Sequence, residues 1–446
     1  MSSSINIPLT VDATQSGLAA GTPVYMYVVG LVSAATNTYY WLDASGMPQV
    51  MSTSDNTIPA GTFPGSGTLS PAAVTAIQPN YPLAWADYSI PVSLTAPTSI
   101  NLANINPTNC PGLGTGTAAF SGRVYISIGV PKLPFSPTDG GYTAPVPLTP
   151  PGYLTLFDWI EFSFDSDGNF NGNTTQVDQF GFELKLNGTP GGSLQGQLNQ
   201  SRADILSAFG SSLAAPFGGG ILQVAVPANA APAYPSGTDY LRVVSPKTLT
   251  GPPTYTGPLA SYFDAVIAQS YTTWQTTPLV TYDTSTGYYT GVAEPLPGSP
   301  HGILTFYQGN YSTLQALRAA NPPVAFQLTG TDPKTAVILT ADVWQCANTL
   351  ASGTDAQKNV GKMLAAAYNR GVIANLLDDS TCQNDAASFY PANGTWNVWA
   401  QMFHRFSTNG LAYGFPYDDV CNQNPSISLI GTQSVTITLG PFNSGS

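Results

Sequence analysis

Residues 157–184 read Phe157-Asp-Trp-Ile-Glu161-Phe-Ser-Phe164, then Asp165-Ser-Asp-Gly-Asn-Phe-Asn-Gly-Asn173, then Thr174-Thr-Gln-Val-Asp178-Gln-Phe-Gly-Phe-Glu-Leu184. Both flanking runs alternate apolar and polar residues, the period of a half-buried strand, and turn formers join them. In the first run Trp159, Glu161 and Ser163 share one face and Ile160, Phe162 and Phe164 the other. In the second, Thr174, Gln176 and Asp178 share a face opposite Thr175, Val177 and Gln179. The pattern predicts Glu161 and Asp178 on adjacent strands of one sheet, facing the same solvent. Outer-face carboxylates are commonly only solvated. In a chain with 8% charged residues, two that converge among amides, hydroxyls and aromatics suit glycosidic hydrolysis, which needs one carboxyl as acid and one as base or nucleophile.

The rest of the chain frames that pair. Its 446 residues allow two domains, and 43% hydrophobic residues supply a core. The 44 Gly and 39 Pro punctuate many short segments, as in a β-rich fold with long loops. A net charge of −12 argues against nucleic acid or an anionic membrane as partner. A neutral polymer fits better. Cys110, Cys346, Cys382 and Cys421 form no Cys-x-x-Cys pair, and the two histidines are His301 and His404, so a zinc site has little support. The even cysteine count predicts an oxidising, extracellular setting with up to two disulfides. No transmembrane run is present, and the Met1 segment does not read as a signal peptide, so we expect a secretion signal removed from the mature chain.

Residues 1–150 read as strands, best at Tyr25–Gly30, Tyr39–Asp43 and Gly122–Val130. From about 195 to 385 helices and strands mix: helices at Gln200–Phe209 with Ser201 as cap, Leu259–Trp274, Ser312–Ala320 and Gln357–Leu377, and strands at Leu241–Ser245, Gly302–Tyr307 and Ala336–Thr340. Trp396–Phe406, Ala412–Val420 and Ser434–Leu439 read as strands again. The reading is β-rich α+β: a β domain from residues 1–194 and 386–446, an inserted α/β domain from 195–385, and a groove beside Glu161. The Asp165 loop fails the EF-hand pattern, with Phe170 where Gly is required and Gln176 where Glu is. No Gly-x-Ser-x-Gly elbow occurs. Asp418-Asp419 after Tyr413-Gly-Phe-Pro-Tyr417 reads either as a turn or as sugar-binding polar groups. His404, in an apolar run, reads as a structural residue.

Glu161 in Asp-Trp-Ile-Glu-Phe and the string Asn173-Thr-Thr-Gln-Val-Asp178-Gln-Phe-Gly together resemble glycoside hydrolase family 64, the laminaripentaose-producing β-1,3-glucanases, distant relatives of thaumatin-like proteins. The resemblance continues in Ser201-Arg-Ala, Leu241-Arg-Val-Val, Ala365-Ala-Ala-Tyr-Asn-Arg370 and Tyr413-Gly-Phe-Pro-Tyr-Asp-Asp-Val420, across nearly the whole chain. It implies a thaumatin-like β-sandwich or barrel domain with an inserted α/β domain and a wide groove between them. It also implies endo-hydrolysis of β-1,3-glucan with inversion, Glu161 as general acid and Asp178 as general base, and no metal or cofactor. Ser163, Asp165, Phe170, Asn173, Thr174, Thr175, Gln176, Tyr413, Asp418 and Asp419 become candidates to bind sugar. The expected partner is the glucan, met by a monomer outside the cell. The rival expectation is a thaumatin-like protein that binds β-1,3-glucan without cutting it. Asn173-Thr-Thr is also a glycosylation sequon, expected to be unmodified because a glycan there would obstruct the site.

Overall fold

The computed structural model describes residues 6–442 except 35, 253, 284, 298–300, 329–336 and 376–385. It is β-rich, with several sheets and few helices, and forms two units. One unit holds Met1–Ser245, Phe406–Leu411 and Pro425–Ser446; the other holds Pro246–Arg405 and Ala412–Asn424.

The first unit is a sandwich. Its larger sheet runs, in spatial order, Ser426–Leu429, Phe170–Thr174, Leu156–Phe164, Phe120–Ile128, Val24–Ser33, Asn37–Leu42 and Pro48–Val50, with Ile90–Pro91 also pairing on Val24–Ser33. Every pairing in it is antiparallel. The smaller sheet runs Leu184–Thr189, Ser434–Leu439, Pro8–Asp12 and Thr98–Asn101, with the Pro8 and Ser434 strands parallel. Met26, Val28, Val124, Ile126, Ile160 and Phe162 of the first sheet and Leu9, Val11, Val435 and Ile437 of the second belong to one buried core. Burying a side chain such as Ile160, Phe162 or Phe164 contributes about 1.5–3 kcal/mol. A one-residue slip of their strand would forfeit several such terms, so the register is fixed and Glu161 is held on the outer face.

Beneath Glu161 the core is aromatic. Phe162 stacks on Phe120 and Phe170, with ring centroids 5.8 and 5.5 Å apart. Gly30 and Gly172 make room for the flanking rings, because a Cβ at either would lie 2.2 Å from Phe120 or 2.6 Å from Phe170. The outer face carries a second cluster in which Tyr27, Tyr125, Phe135, Phe157 and Trp159 are buried. After residue 178 the chain enters a three-stranded sheet of Gln179–Phe180, Tyr240–Val244 and Gln223–Ala225.

The second unit has a four-stranded antiparallel sheet of Leu279–Asp283, Gly287–Glu294, Ile303–Gln308 and Val324–Leu328. Its longest described helix, Asp355–Arg370, starts at a Thr354–Gln357 capping box and ends at Gly371, whose φ of +71° suits glycine. No described helix is long and apolar enough to cross a membrane.

Several expectations change. Residues 195–245, assigned from sequence to the insertion, stay with the sandwich. Arg202 and Arg242 fasten them there, donating to the carbonyls of Gly181 and of Pro147, Tyr153 and Thr155. Residues 386–405 and 412–424 belong to the second unit instead of the β domain. Trp396–Phe406, expected as a strand, holds the helix Val398–Phe406: Trp399, Ala400 and Phe403 are buried at helical spacing. Residues 412–414 are irregular and 416–419 form a turn, so no strand forms over 412–420. Residues 337–339 are not a strand, and Ala336 lies outside the described residues. Cys421 is disulfide-bonded, while Cys110 and Cys346 are buried free thiols, which excludes a second disulfide.

Candidate active site

Cross-strand pairing lines up one row on the outer face: Ser426, Asn173, Glu161, Arg123, Val29 and Trp41 sit opposite one another on successive strands. The next row brings Asn171, Ser163 and Ser121 together, and on the other side Trp159 pairs with Tyr125 and Tyr125 with Tyr27. Polar rows thus lie against an aromatic floor.

Arg123 is the centre of the polar rows. Its Nε and Nη2 donate to Glu161 Oε1 at 3.2 and 2.9 Å, and its Nη1 donates to the Tyr125 hydroxyl at 3.2 Å. The guanidinium stands 5.0 Å from the centroid of the Trp159 ring. Both side chains of the ion pair remain accessible, Arg123 at 37% and Glu161 at 32%. Among the described residues Glu161 Oε2 accepts no hydrogen bond. Phe162 and Phe164, its neighbours in the strand, lie in the core, while the Glu161 side chain is partly solvated and paired with Arg123.

Asp178 arrives by a different route from the one expected. The strand opposite Glu161 ends at Thr174, and it is Asn173, not Asp178, that sits across from Glu161. Residues 175–178 leave the sheet in a turn in which Thr175 Oγ1 accepts the Val177 N–H at 3.2 Å. The segment is then returned against the Glu161 strand. Gln179 Nε2 donates to the Phe157 carbonyl at 2.6 Å, and the Ser245 N–H donates to the Asp178 carbonyl at 2.9 Å. Burial pulls the Arg123 pKa down, but Tyr125, Glu161 and Asp178 together outweigh it and hold the guanidinium charged. Burial pushes the Tyr125 pKa up, Arg123 opposes this, and Glu161 and Asp178 add to it. Both carboxylates therefore act on one cation and one phenol.

The other candidates divide. Ser163 and Asn173 flank Glu161 on its own face, half-buried. Thr174 lies on the opposite face, across from Ile160, and Thr175 and Gln176 are buried beside it. Asp165 organises the hairpin, its Oδ1 accepting the Asp167 and Asn169 N–H groups at 2.9 Å. Phe170 is 0% exposed and part of the Phe162 stack, so it is a core residue and cannot meet sugar. Asp418 is also 0% exposed: it accepts from Arg370 at 2.9 Å, from the Gly414 N–H at 2.9 Å and bonds His404 at 3.0 Å. It is an internal anchor of the second unit, and His404 has the structural role expected of it. Asp419 is accessible and stands 3.8 Å from Lys362. The Tyr413 hydroxyl donates to the Pro416 carbonyl at 2.9 Å.

Sequence reasoning missed Arg123. Its signal was a single cation at the parity of Tyr125 in an otherwise uncharged strand, Gly122-Arg-Val-Tyr-Ile. What it pairs with depends on strand order, which that pattern does not encode. Among the described residues no group of three or more His, Cys, Asp or Glu side chains is placed to hold a metal ion.

Solved structures share this fold. A laminaripentaose-producing β-1,3-glucanase in complex with laminaritetraose is 22% identical, with a TM-score of 0.68 over 98% of this chain and 99% of that one. A β-1,3-glucanase domain from Clostridium beijerinckii is 22% identical, with a TM-score of 0.71 over the same shares. A laminaripentaose-producing β-1,3-glucanase from Paenibacillus barengoltzii complexed with laminarihexaose is 19% identical, with a TM-score of 0.58 over 98% of this chain and 75% of that one. No curated protein sequence matches the chain. The model of the β-1,3-glucanase family, glycoside hydrolase 64, matches residues 6–439, so that the strand bearing Glu161, the turn bearing Asp178, the whole second unit and nearly all of the first fall within it. The chain belongs to glycoside hydrolase family 64, the β-1,3-glucanases.

Proposed function

We propose that the chain cuts β-1,3-glucan internally with inversion at the anomeric carbon, releasing oligosaccharides of about laminaripentaose size. It acts outside the cell as a monomer, with the sandwich as its thaumatin-like unit. The observation that supports this reading is the Glu161–Arg123 pair on an accessible polar face beside aromatic rings, with the Asp178 turn tied back to the Glu161 strand through Gln179. The laminaritetraose and laminarihexaose bound by two structural relatives support the substrate class.

In this mechanism Glu161 gives its proton to the glycosidic oxygen as the bond to C1 breaks. Asp178 takes a proton from a water whose oxygen attacks C1 from the opposite face, and the product leaves with inverted configuration. Such a pair stands about 6.5–9.5 Å apart to admit the water, against about 5–5.5 Å for retention. Arg123 holds Oε1, which leaves Oε2 as the proton-bearing oxygen. The same contact favours a second division of labour. A guanidinium at 2.9 Å is a partner for a carboxylate rather than for a carboxylic acid, which would make Glu161 the base and Asp178 the acid.

Hydrolysis of soluble β-1,3-glucan by the wild type, Glu161→Gln and Asp178→Asn tests the reading. Each variant should lose about 10²–10⁴-fold in kcat, and proton NMR of wild-type product should show the α-anomer first. An aryl laminarioside with a good leaving group needs no acid, so it should restore Glu161→Gln and leave Asp178→Asn inactive; the opposite result reverses the roles. An initial β-anomer refutes inversion. A wild type that binds glucan without cutting it refutes the enzyme and leaves the glucan-binding protein.

A further inference from the structure

Asp158 is a buried carboxyl that the mechanism does not use. It precedes Trp159 on the Glu161 strand and lies on the core side, across from Ile126. Its two oxygens serve different segments. Oδ1 accepts the Trp159 N–H at 2.9 Å, within the strand itself, and Oδ2 accepts the Gly181 N–H at 2.7 Å, just beyond Asp178. Through the hairpin Glu161 and Asp178 are 17 positions apart. Through the Asp158–Gly181 hydrogen bond the path is short, since Asp158 is three residues before Glu161 and Gly181 three residues after Asp178.

The surroundings reinforce this bypass. Gln179 Nε2 donates to the Phe157 carbonyl at 2.6 Å, a second tie between the same two segments. Gly181 approaches so closely that a Cβ there would lie 2.6 Å from the Phe157 carbonyl oxygen. Arg202 Nε presses from the other side, donating to the Gly181 carbonyl at 2.6 Å. Such close contacts leave the two segments little freedom to slide past each other.

We propose that Asp158 is a positioning residue whose two side-chain oxygens clamp the Asp178 segment to the Glu161 strand and so set the separation of the two reacting carboxyl groups. The inference rests on the assignment of Asp178 under the proposed function. Burial pushes the Asp158 carboxyl up to about 7 even though the Gly181, Trp159 and Phe182 N–H groups and the Arg242 charge oppose the rise. An ionisable group kept at that cost of desolvation fits a role that needs two acceptor oxygens.

Asp158→Asn retains the shape but turns an N–H2 towards one of the two N–H donors. A displacement of about 1 Å can cost about 10²-fold in rate. The variant should therefore show kcat lowered about 10²-fold with KM within about threefold, at a temperature where circular dichroism shows it folded. Gln179→Met, similar in volume and milder for folding, removes the second tie and should lower kcat about tenfold at unchanged KM. A folded Asp158→Asn with wild-type kcat overturns the proposal. So does a loss that tracks the folded fraction alone, or, if Asp158→Asn does not fold, a Gln179→Met enzyme of wild-type kcat. Full activity in Asp178→Asn is a separate failure: it removes the proposed function itself and this inference with it.

Discussion

Replacing Asp418 by Asn separates the two roles open to it from sequence, sugar contact and internal turn. Arg370 is fully buried, and its Nη2 donates to Asp418 Oδ1 at 2.9 Å and to the Val420 carbonyl at 2.8 Å; Asp418 supplies the one carboxylate paired with it among the described residues. The guanidinium also packs on Phe389 and Phe415, at 4.6 and 5.5 Å from their ring centroids. Removing the carboxylate charge strands a cation with no solvent to turn to, a loss of about 3–5 kcal/mol. A folded domain has about 5–15 kcal/mol in all, and for a unit of this size each kcal/mol moves the midpoint about 2–4 °C. The second unit should melt about 6–20 °C lower, followed by calorimetry, while KM for glucan at 25 °C stays near wild type. The effect should also shrink in acid. Burial raises the Asp418 pKa, but His404, Arg370 and the Gly414 N–H outweigh this and hold it below the usual range. Its stabilisation is therefore present above the unfolded value of about 3.9 and is lost as pH falls through the folded value. An Asn variant that melts like wild type and binds glucan poorly would refute the anchor.

Two further outcomes follow from the first unit. Phe170→Ala should destabilise by about 3–5 kcal/mol in urea titrations, by opening a cavity beside Phe162, without the rise in KM that Ser163→Ala should cause; a raised KM in a stable Phe170→Ala would return Phe170 to the site. Asp158, raised by burial to about 7 beside Arg242 and Arg202 and in a small cavity shared with Glu183, binds a proton more tightly folded than unfolded, so its contribution is present below about 4 and lost as pH rises to about 7. Wild type should lose more unfolding free energy between pH 5 and pH 8 than Asp158→Asn; parallel profiles would contradict the burial of that carboxyl.

The first run of the central stretch was legible because a buried sheet face enforces period two. Ile160, Phe162 and Phe164 are in the core, and Glu161 and Ser163 are outside. Asp178 was misplaced because the same period was carried past Thr174, where a threonine turn ends the strand. Alternation has no term for a hydroxyl that captures a backbone N–H two residues on. The helix Val398–Phe406 was read as a strand because tryptophan and phenylalanine favour strands, while only three of its residues mark the helical stripe. Arg123 meets Glu161 through strand pairing and Asp158 meets Gly181 through a side-chain hydrogen bond, and contacts between distant segments are written in no local pattern.

The strand Pro8–Asp12 lies in parallel beside Ser434–Leu439, and both lie inside the first unit. During synthesis the Pro8–Asp12 strand must therefore wait for a partner more than 400 residues on, with one of its edges unpaired, while most of the second unit emerges and is free to fold. Pairings separated by more than 400 positions also close slowly. The stretch after Pro425, remote from Glu161 in sequence, thus acts as the latch of the sandwich, and a ribosome stalled before it would release a chain whose Glu161-bearing sheet has no finished layer behind it.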